Sequence, residues 1–236
     1  MMDIYQEIRV YGEERPAILS DRMEYLASRC SGKNALHVGC ADAPLAVERV
    51  EAGQLLHQRI EKAAAEVVGI DIDEDSICFL QEHGIHSVQV MDAERMSFDR
   101  RFDVILAGDV LEHLSNPGLF LQQVPDLLLP GGELIVAVPH AFTFLAMRVW
   151  LQNKELVHKD HCFYYSPKCL AQLCRRYELL PTRLHYTVQP RSPGESRIYC
   201  AIRSLLTWMR PMLAPAFIMH FQHASTADQS RFRVLR

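Results

Sequence analysis

Short apolar runs alternate with longer amphipathic stretches along most of this chain. Ala35-Leu36-His37-Val38 breaks into the small residues Gly39, Cys40, Ala41 and Ala43, the pattern of a buried strand turning into a helix. Val67-Val68-Gly69-Ile70 is a second run, closed by Asp71. Ser87 to Met91 ends at Asp92-Ala93, Phe102 to Ala107 ends at Gly108-Asp109, and Glu133 to Val138 follows the tight turn Pro130-Gly131-Gly132. The stretches between carry helical spacing. One holds Leu45, Val47, Val50, Leu55, Leu56, Ile60 and Ala64 with a break near Ala52-Gly53; the next holds Ile77 and Leu80 and stops at Gly84; a third holds Leu119, Phe120 and Val124 behind Pro117. Alternation of this kind, with right-handed crossovers, predicts an α/β fold: a doubly wound sheet with helices on both faces.

The flanks depart from that rhythm. Residues 1–31 are expected as an N-terminal lid or flanking helix that begins near Pro16, with Ile18, Met23, Leu26 and Ala27 on its apolar side and Tyr5, Tyr11 and Arg15 as surface residues or lid contacts. Residues 32–203 form the main domain. Within it, His140-Ala141-Phe142 opens an apolar helix to about Leu151, and the polar-aromatic loop Val157 to Tyr165 follows. Ser166-Pro167 then starts a helix that buries Leu170, Leu173 and Cys174. Leu179 to Val188 and Ile198 to Ile202 are expected as the last two strands, a hairpin joined at Pro190 to Gly194. Residues 204–236 are expected as an apolar C-terminal helical segment and tail. Arg210, Pro211 and Pro215 break the run at 204–222, so the expectation is a final amphipathic helix covering the sheet, with contact to a membrane surface as the alternative. The tail from His223 is expected to be disordered.

Composition narrows the classes. With 236 residues and 49% hydrophobic content the chain can bury one substantial core. A net charge of -4 argues against nucleic acid as the main partner. Seven scattered cysteines without C-x-x-C spacing indicate reduced thiols and a cytoplasmic location, and the charged N-terminus lacks an apolar signal core. No G-x-G-x-x-G follows the first strand, which argues against a nicotinamide dinucleotide.

VGCADAP, VVGIDID, VQVMDAERM, FDVILAGDVLEHLSNP and LLLPGGELIVAVP occur in that order, and with the later strands the pattern spans roughly Ala35 to Val188. The ordered set resembles the motif series of class I S-adenosylmethionine-dependent methyltransferases, type 11/12/23-like, similar to quinone and small-molecule O-methyltransferases. The resemblance implies a Rossmann-like mixed sheet of seven strands, one antiparallel, and S-adenosyl-L-methionine as methyl donor. The donor site it implies comprises His37, Gly39, Cys40, Ala41, Asp71, Ile72, Asp92, Ala93, Gly108 and Asp109. Asp71 would bind the ribose diol. Asp92 would hold the exocyclic amine of adenine, or else cap a helix turn. The chain departs from the family pattern in three places: His37 stands where an acidic residue is usual, and Ala41 and Ala43 stand where the second and third loop glycines are usual. Asp42 either compensates for His37 or caps a helix, and His57 is expected to be a packed or solvated histidine.

A sulfonium methyl is already activated, so the protein must align donor and acceptor, exclude water and, for a hydroxyl acceptor, remove its proton. His113 and His161 are the candidate general bases; His140 is a weaker one, and His158 can replace His161. Asp109, Glu112, His113 and His161 could instead bind a divalent metal ion, Mg or similar, an arrangement similar to that of metal-dependent small-RNA 2'-O-methyltransferases and some quinone O-methyltransferases. The expected function is methyl transfer to oxygen on a small-molecule or saccharide acceptor held at Val157 to Tyr165. An RNA 2'-O-methyltransferase with a metal site and a catalytically silent S-adenosylmethionine-binding protein remain as alternatives, and the sequence leaves the oligomeric state open.

Overall fold

The computed structural model describes residues 16–155, 157–188 and 196–226; Tyr5, Tyr11, Arg15, the turn at 190–194 and the tail beyond 226 lie outside the described residues. The elements run β1 (Ala17–Leu19), α1 (Arg22–Arg29), β2 (Asn34–Val38), α2 (Ala46–Glu51), α3 (Leu56–Ala63), β3 (Glu66–Asp71), α4 (Glu74–Glu82) and β4 (Val88–Val90). They continue β5 (Phe102–Gly108), α5 (Pro117–Leu127), β6 (Leu128–Pro139), α6 (Phe144–Trp150), α7 (Pro167–Arg175), β7 (Leu179–Thr187), α8 (Arg197–Met209) and β8 (Ala216–His223). One sheet holds all eight strands in the order β1-β7-β8-β6-β5-β2-β3-β4. All neighbours are parallel except β8, which is antiparallel to both β6 and β7. The strand order reverses between β2 and β5, the switch point where α/β sheets open a crevice at their carboxyl edge.

Strand pleating divides the core. Leu36, Val38, Ile105, Ala107, Leu134 and Val136 pack on one face with Phe120 and Val124 of α5, whereas Ala35, Val104, Leu106, Ile135 and Ala137 pack on the other with Leu26 of α1 and Ile60 of α3. Both faces are covered, which is why these strands are near-continuous apolar runs. The helix starts follow local chemistry: Asp21, Asp73, Thr143 and Ser166 each accept from a backbone amide of the first turn. The expected break in the helical stretch after β2 falls at Gly53, which has φ +63°.

Three expectations about the flanks are corrected. Among the described residues the sheet has eight strands, not seven, because Ala17–Leu19, expected within a helix, pairs with His185–Thr187 at the sheet edge. The helix in that stretch starts only at Arg22, where Asp21 caps it. Ile198 to Ile202, expected as a strand, lies in α8, and the antiparallel partner of β7 is β8. Residues 216–222, expected in an apolar helical segment, and His223, expected to open a disordered tail, are therefore a sheet strand. Pro211 and Pro215 stop the helix, and Phe217-Ile218-Met219-His220-Phe221 is buried on both sides between β6 and β7. That burial withholds this stretch from any membrane surface. Among the described residues no helix is long and apolar enough to cross a membrane.

Candidate functional site

The carboxyl ends of β2, β3 and β5, with the segments after β4 and β5 and the start of α1, enclose a cavity of about 1120 Å³. That volume accommodates a nucleoside-sized molecule with room for a second ligand. Of the ten residues expected to bind the donor, His37, Gly39, Cys40, Asp71, Ile72, Asp92, Ala93, Gly108 and Asp109 line it; Ala41 is fully buried behind the loop.

Gly39 has φ +73°, and a Cβ there would stand 2.4 Å from Val110 Cγ2, so only glycine lets the turn after β2 pass close to the loop after β5. Asp42 and Asp109 also take positive φ, 54° each, a strained choice for residues with a side chain and one that clusters at functional sites. Asp71 accepts from the Ala41 amide at 3.1 Å and the Asp73 amide at 3.1 Å, which fixes its carboxylate beside the Gly39 turn. Asp92 caps the turn at Ala93–Arg95, as one of its two expected roles has it, by accepting from the Glu94 amide, and it also lines the cavity. Asp42 is paired with Arg49 at 2.7 Å, and burial raises its pKa despite that partner.

Arg22, which carried no sequence signal of its own, donates to Asp109 at 2.6 Å, both residues lining this cavity. Its burial works against the guanidinium charge, but Asp109, Glu112 and Asp42 outweigh it and raise its pKa.

Beyond the cavity, the loop at 157–165 folds back on the start of the post-β5 segment. The Cys162 and Phe163 amides donate to the Glu112 carbonyl, and His113 Nδ1 lies 3.2 Å from the Asp160 carbonyl oxygen. This brings His113 and His161 to a ring separation of 4.6 Å, with His158 a further 4.5 Å from His161 and Tyr164 at 5.3 Å. One ligand atom each from Glu112, His113 and His161 lies within 4.8 Å of the others. Asp109, expected as a fourth ligand, is outside that cluster and engaged with Arg22.

Glu112 is 1% exposed, and neither of its carboxylate oxygens has a hydrogen-bond partner among the described residues. Burial, then the nearby Asp109, raises its pKa to about 8. An orphaned carboxyl beside two imidazoles fits a divalent cation of borderline hardness. The linkage has a definite sign. Between the ordinary carboxylate range and about 8 the folded protein holds a proton that the unfolded chain has lost, so stability falls with rising pH by up to about 1.4 kcal/mol per pH unit. The melting-temperature advantage of Glu112→Gln over the parent should therefore grow between pH 5 and pH 8 in metal-free buffer. An equal difference at both pH values would show the carboxyl ionised throughout.

The structure corrects the expectation for His140. It is 2% exposed, packs on Tyr186 and Phe217, places Nδ1 3.3 Å from the Ala214 carbonyl and does not line the cavity. Burial holds its pKa down at about 4. It is packed as a core histidine, against Phe142 as well as Tyr186 and Phe217.

A family model described as a methyltransferase domain matches residues 11–182. The ubiquinone biosynthesis O-methyltransferase of Shewanella halifaxensis is 24% identical over 170 residues, 66% of this chain and 67% of that protein. The enzyme of the same name from Nitrosococcus oceani is 27% identical over 183 residues, 70% of this chain and 73% of that protein. This chain thus matches about two thirds of the length of such relatives. Among solved structures, the N-methyltransferase NodS from Bradyrhizobium japonicum WM9 in complex with S-adenosyl-L-homocysteine superposes with a TM-score of 0.54 at 13% identity, covering 86% of this chain and 84% of that one, a likeness of fold. The switch-point cavity with its carboxylates at the ends of β3 and β4, taken with a family match over most of the length, shows that the chain belongs to the class I S-adenosylmethionine-dependent methyltransferases.

Proposed function

We propose that the enzyme transfers the donor methyl to an oxygen of a small molecule bound against the Glu112, His113 and His161 cluster. The observation that carries this reading is the cluster itself, which adjoins the cavity where His113 forms part of the lining. A nitrogen acceptor can lose its proton after transfer, whereas a hydroxyl acceptor gains most from a nearby base or cation.

Each group has a role in that reading. Asp71 and Asp92 orient the nucleoside, and Arg22 faces the donor's carboxylate. Burial and then its histidine neighbours lower the His161 pKa, which favours the neutral ring that a proton acceptor needs. Glu112, His113 and His161 would also hold a divalent ion, which when bound would lower the proton affinity of an acceptor hydroxyl. Asp109 orients Arg22 and stays outside the ligand set. The side chains of Phe142, Trp150, Phe163 and Tyr164, all partly exposed on the turn before α6, on α6 itself and on the 157–165 loop, suit an acceptor with an aromatic or aliphatic portion better than a bare saccharide. The O-methyltransferase names of the sequence relatives support oxygen as the methylated atom.

The test is a thermal-shift titration with S-adenosylmethionine, S-adenosylhomocysteine and NAD, repeated with chelator and with divalent ions, and then a methyl-transfer screen over phenols, alcohols and amines. S-adenosylhomocysteine at 100-fold its Kd should stabilise the protein by about 2.7 kcal/mol, and NAD should leave it unchanged. Turnover confined to amines would overturn the oxygen assignment.

A further inference from the structure

His37, His57, Ser87 and Glu61 form one hydrogen-bonded row that leads from the donor cavity to a half-buried carboxylate. The His37 and His57 rings are stacked at 12° with their Nδ1 atoms 3.2 Å apart. His57 Nε2 lies 2.8 Å from Ser87 Oγ, and the Ser87 hydroxyl donates to the Glu61 carboxylate. The fold makes room for this row. Gly69 is paired with His37 in register, and a Cβ on it would stand 2.6 Å from His57 Cε1 and 2.8 Å from Cys40 Sγ. Any other residue at 69 would push the His57 ring away.

The direction of the row follows from its outer end. A carboxylate only accepts, so the Ser87 proton points to Glu61 and the Ser87 lone pairs are left for His57. His57 therefore carries its proton on Nε2, and its Nδ1 is bare. Two bare nitrogens at 3.2 Å make no hydrogen bond, so His37 carries its proton on Nδ1 and donates to His57. The remaining atom, His37 Nε2, is then a bare acceptor. It has no protein partner among the described residues, and its ring lines the cavity beside Gly39.

We propose that Glu61, Ser87 and His57 lock His37 in the Nδ1–H tautomer, so that its Nε2 lone pair receives the ammonium group of the donor's methionine end. A neutral acceptor thus takes the place of the acidic residue that the family pattern puts at this position. His37 is the contact residue, and the other three are positioning residues. The inference rests on S-adenosylmethionine being the donor. Burial supports it independently: it holds His57 down at about 4 and His37 well below the ordinary histidine range, so both rings are neutral, as a row with one proton per ring requires.

The experiment combines imidazole nitrogen NMR on the 15N-histidine-labelled protein with calorimetry. His37 should show a protonated Nδ1 and a bare Nε2 in the parent and in Ser87→Thr, and should shift toward the Nε2–H form in Ser87→Ala. His57→Leu should weaken S-adenosylhomocysteine about tenfold while leaving 5'-methylthioadenosine, which lacks the amino-acid end, within about twofold; the tenfold figure corresponds to the loss of one charge-assisted hydrogen bond. A parent His37 protonated on Nε2, or equal losses for the two ligands, would overturn the proposal. A parent that binds neither ligand would remove the donor assignment as well, an outcome distinct from either of these.

Discussion

Asp71→Ala is expected to weaken S-adenosylhomocysteine binding roughly 100-fold, the largest effect on affinity of any single change in the cavity. A ribose diol presents two hydroxyl donors to one carboxylate, and hydrogen bonds to a charged acceptor are worth about 1.5–3 kcal/mol each. Losing both, with partial replacement by water, leaves a deficit of about 3 kcal/mol, which is about two decades in Kd. The same carboxylate accepts from the Ala41 and Asp73 amides, so the alanine variant also loosens the turn that carries Gly39. Asp71→Asn separates the two effects, because its carbonyl oxygen still accepts from one of those amides while the charge is gone. Calorimetry on both variants checks the point. An unchanged Kd in Asp71→Ala would remove the donor from this cavity.

The second large effect is on transfer. Glu112→Ala and His161→Ala are each expected to lower the rate of methyl transfer by about 10²–10⁴-fold, the span attributed to a positioned acid or base, and to leave donor affinity within about twofold. The two residues belong to the cluster proposed to meet the acceptor, Glu112 buried and His161 on the folded-back loop, and neither lines the donor cavity. The chemistry of the cluster decides what else is seen. If the cluster holds a cation, chelator silences the parent enzyme and both variants respond weakly to added metal. If His161 acts alone as base, chelator has no effect and Glu112→Gln retains most of the rate. Loss of donor affinity in parallel with rate would instead make these residues part of the donor site.

Arg22, His57 and Glu112 show why the sequence was only partly informative about the site. The motif residues were legible because each lies at the carboxyl end of an apolar strand, and the alternation of strands with helices places all such ends on one edge. Strand-end position placed Asp71, Asp92 and Asp109 on that edge, and the resemblance supplied the roles expected of them. Arg22 sits in a helix whose only sequence signal is its amphipathic spacing, and its value comes from where α1 packs, 87 residues away from Asp109 in the chain. His57 had the ordinary spacing of a helix residue facing the core. Only the missing Cβ at Gly69, in a neighbouring strand, converts it from packing into a hydrogen-bonded row with His37. Glu112 and His161 could be paired by resemblance, but Asp109 could not be separated from them until its ion pair with Arg22 was seen.

The chain's own order of apolar runs, helical spacings and turn residues determined the doubly wound architecture from β2 to β6 and the edge on which ligands bind, because each of those elements is specified by neighbours within a few residues. The last third was decided by tertiary structure. Residues 216–223 carry an apolar run that suits a buried helix as well as a strand, and only insertion between β6 and β7, with partners at least 29 residues distant, selects the strand. Likewise the proton positions along His37, His57 and Ser87 and the exposure of Glu112 to its neighbours depend on which side chains meet across the sheet. Side-chain chemistry names the groups that can react; packing between distant segments sets which of them share a proton, a charge or a ligand.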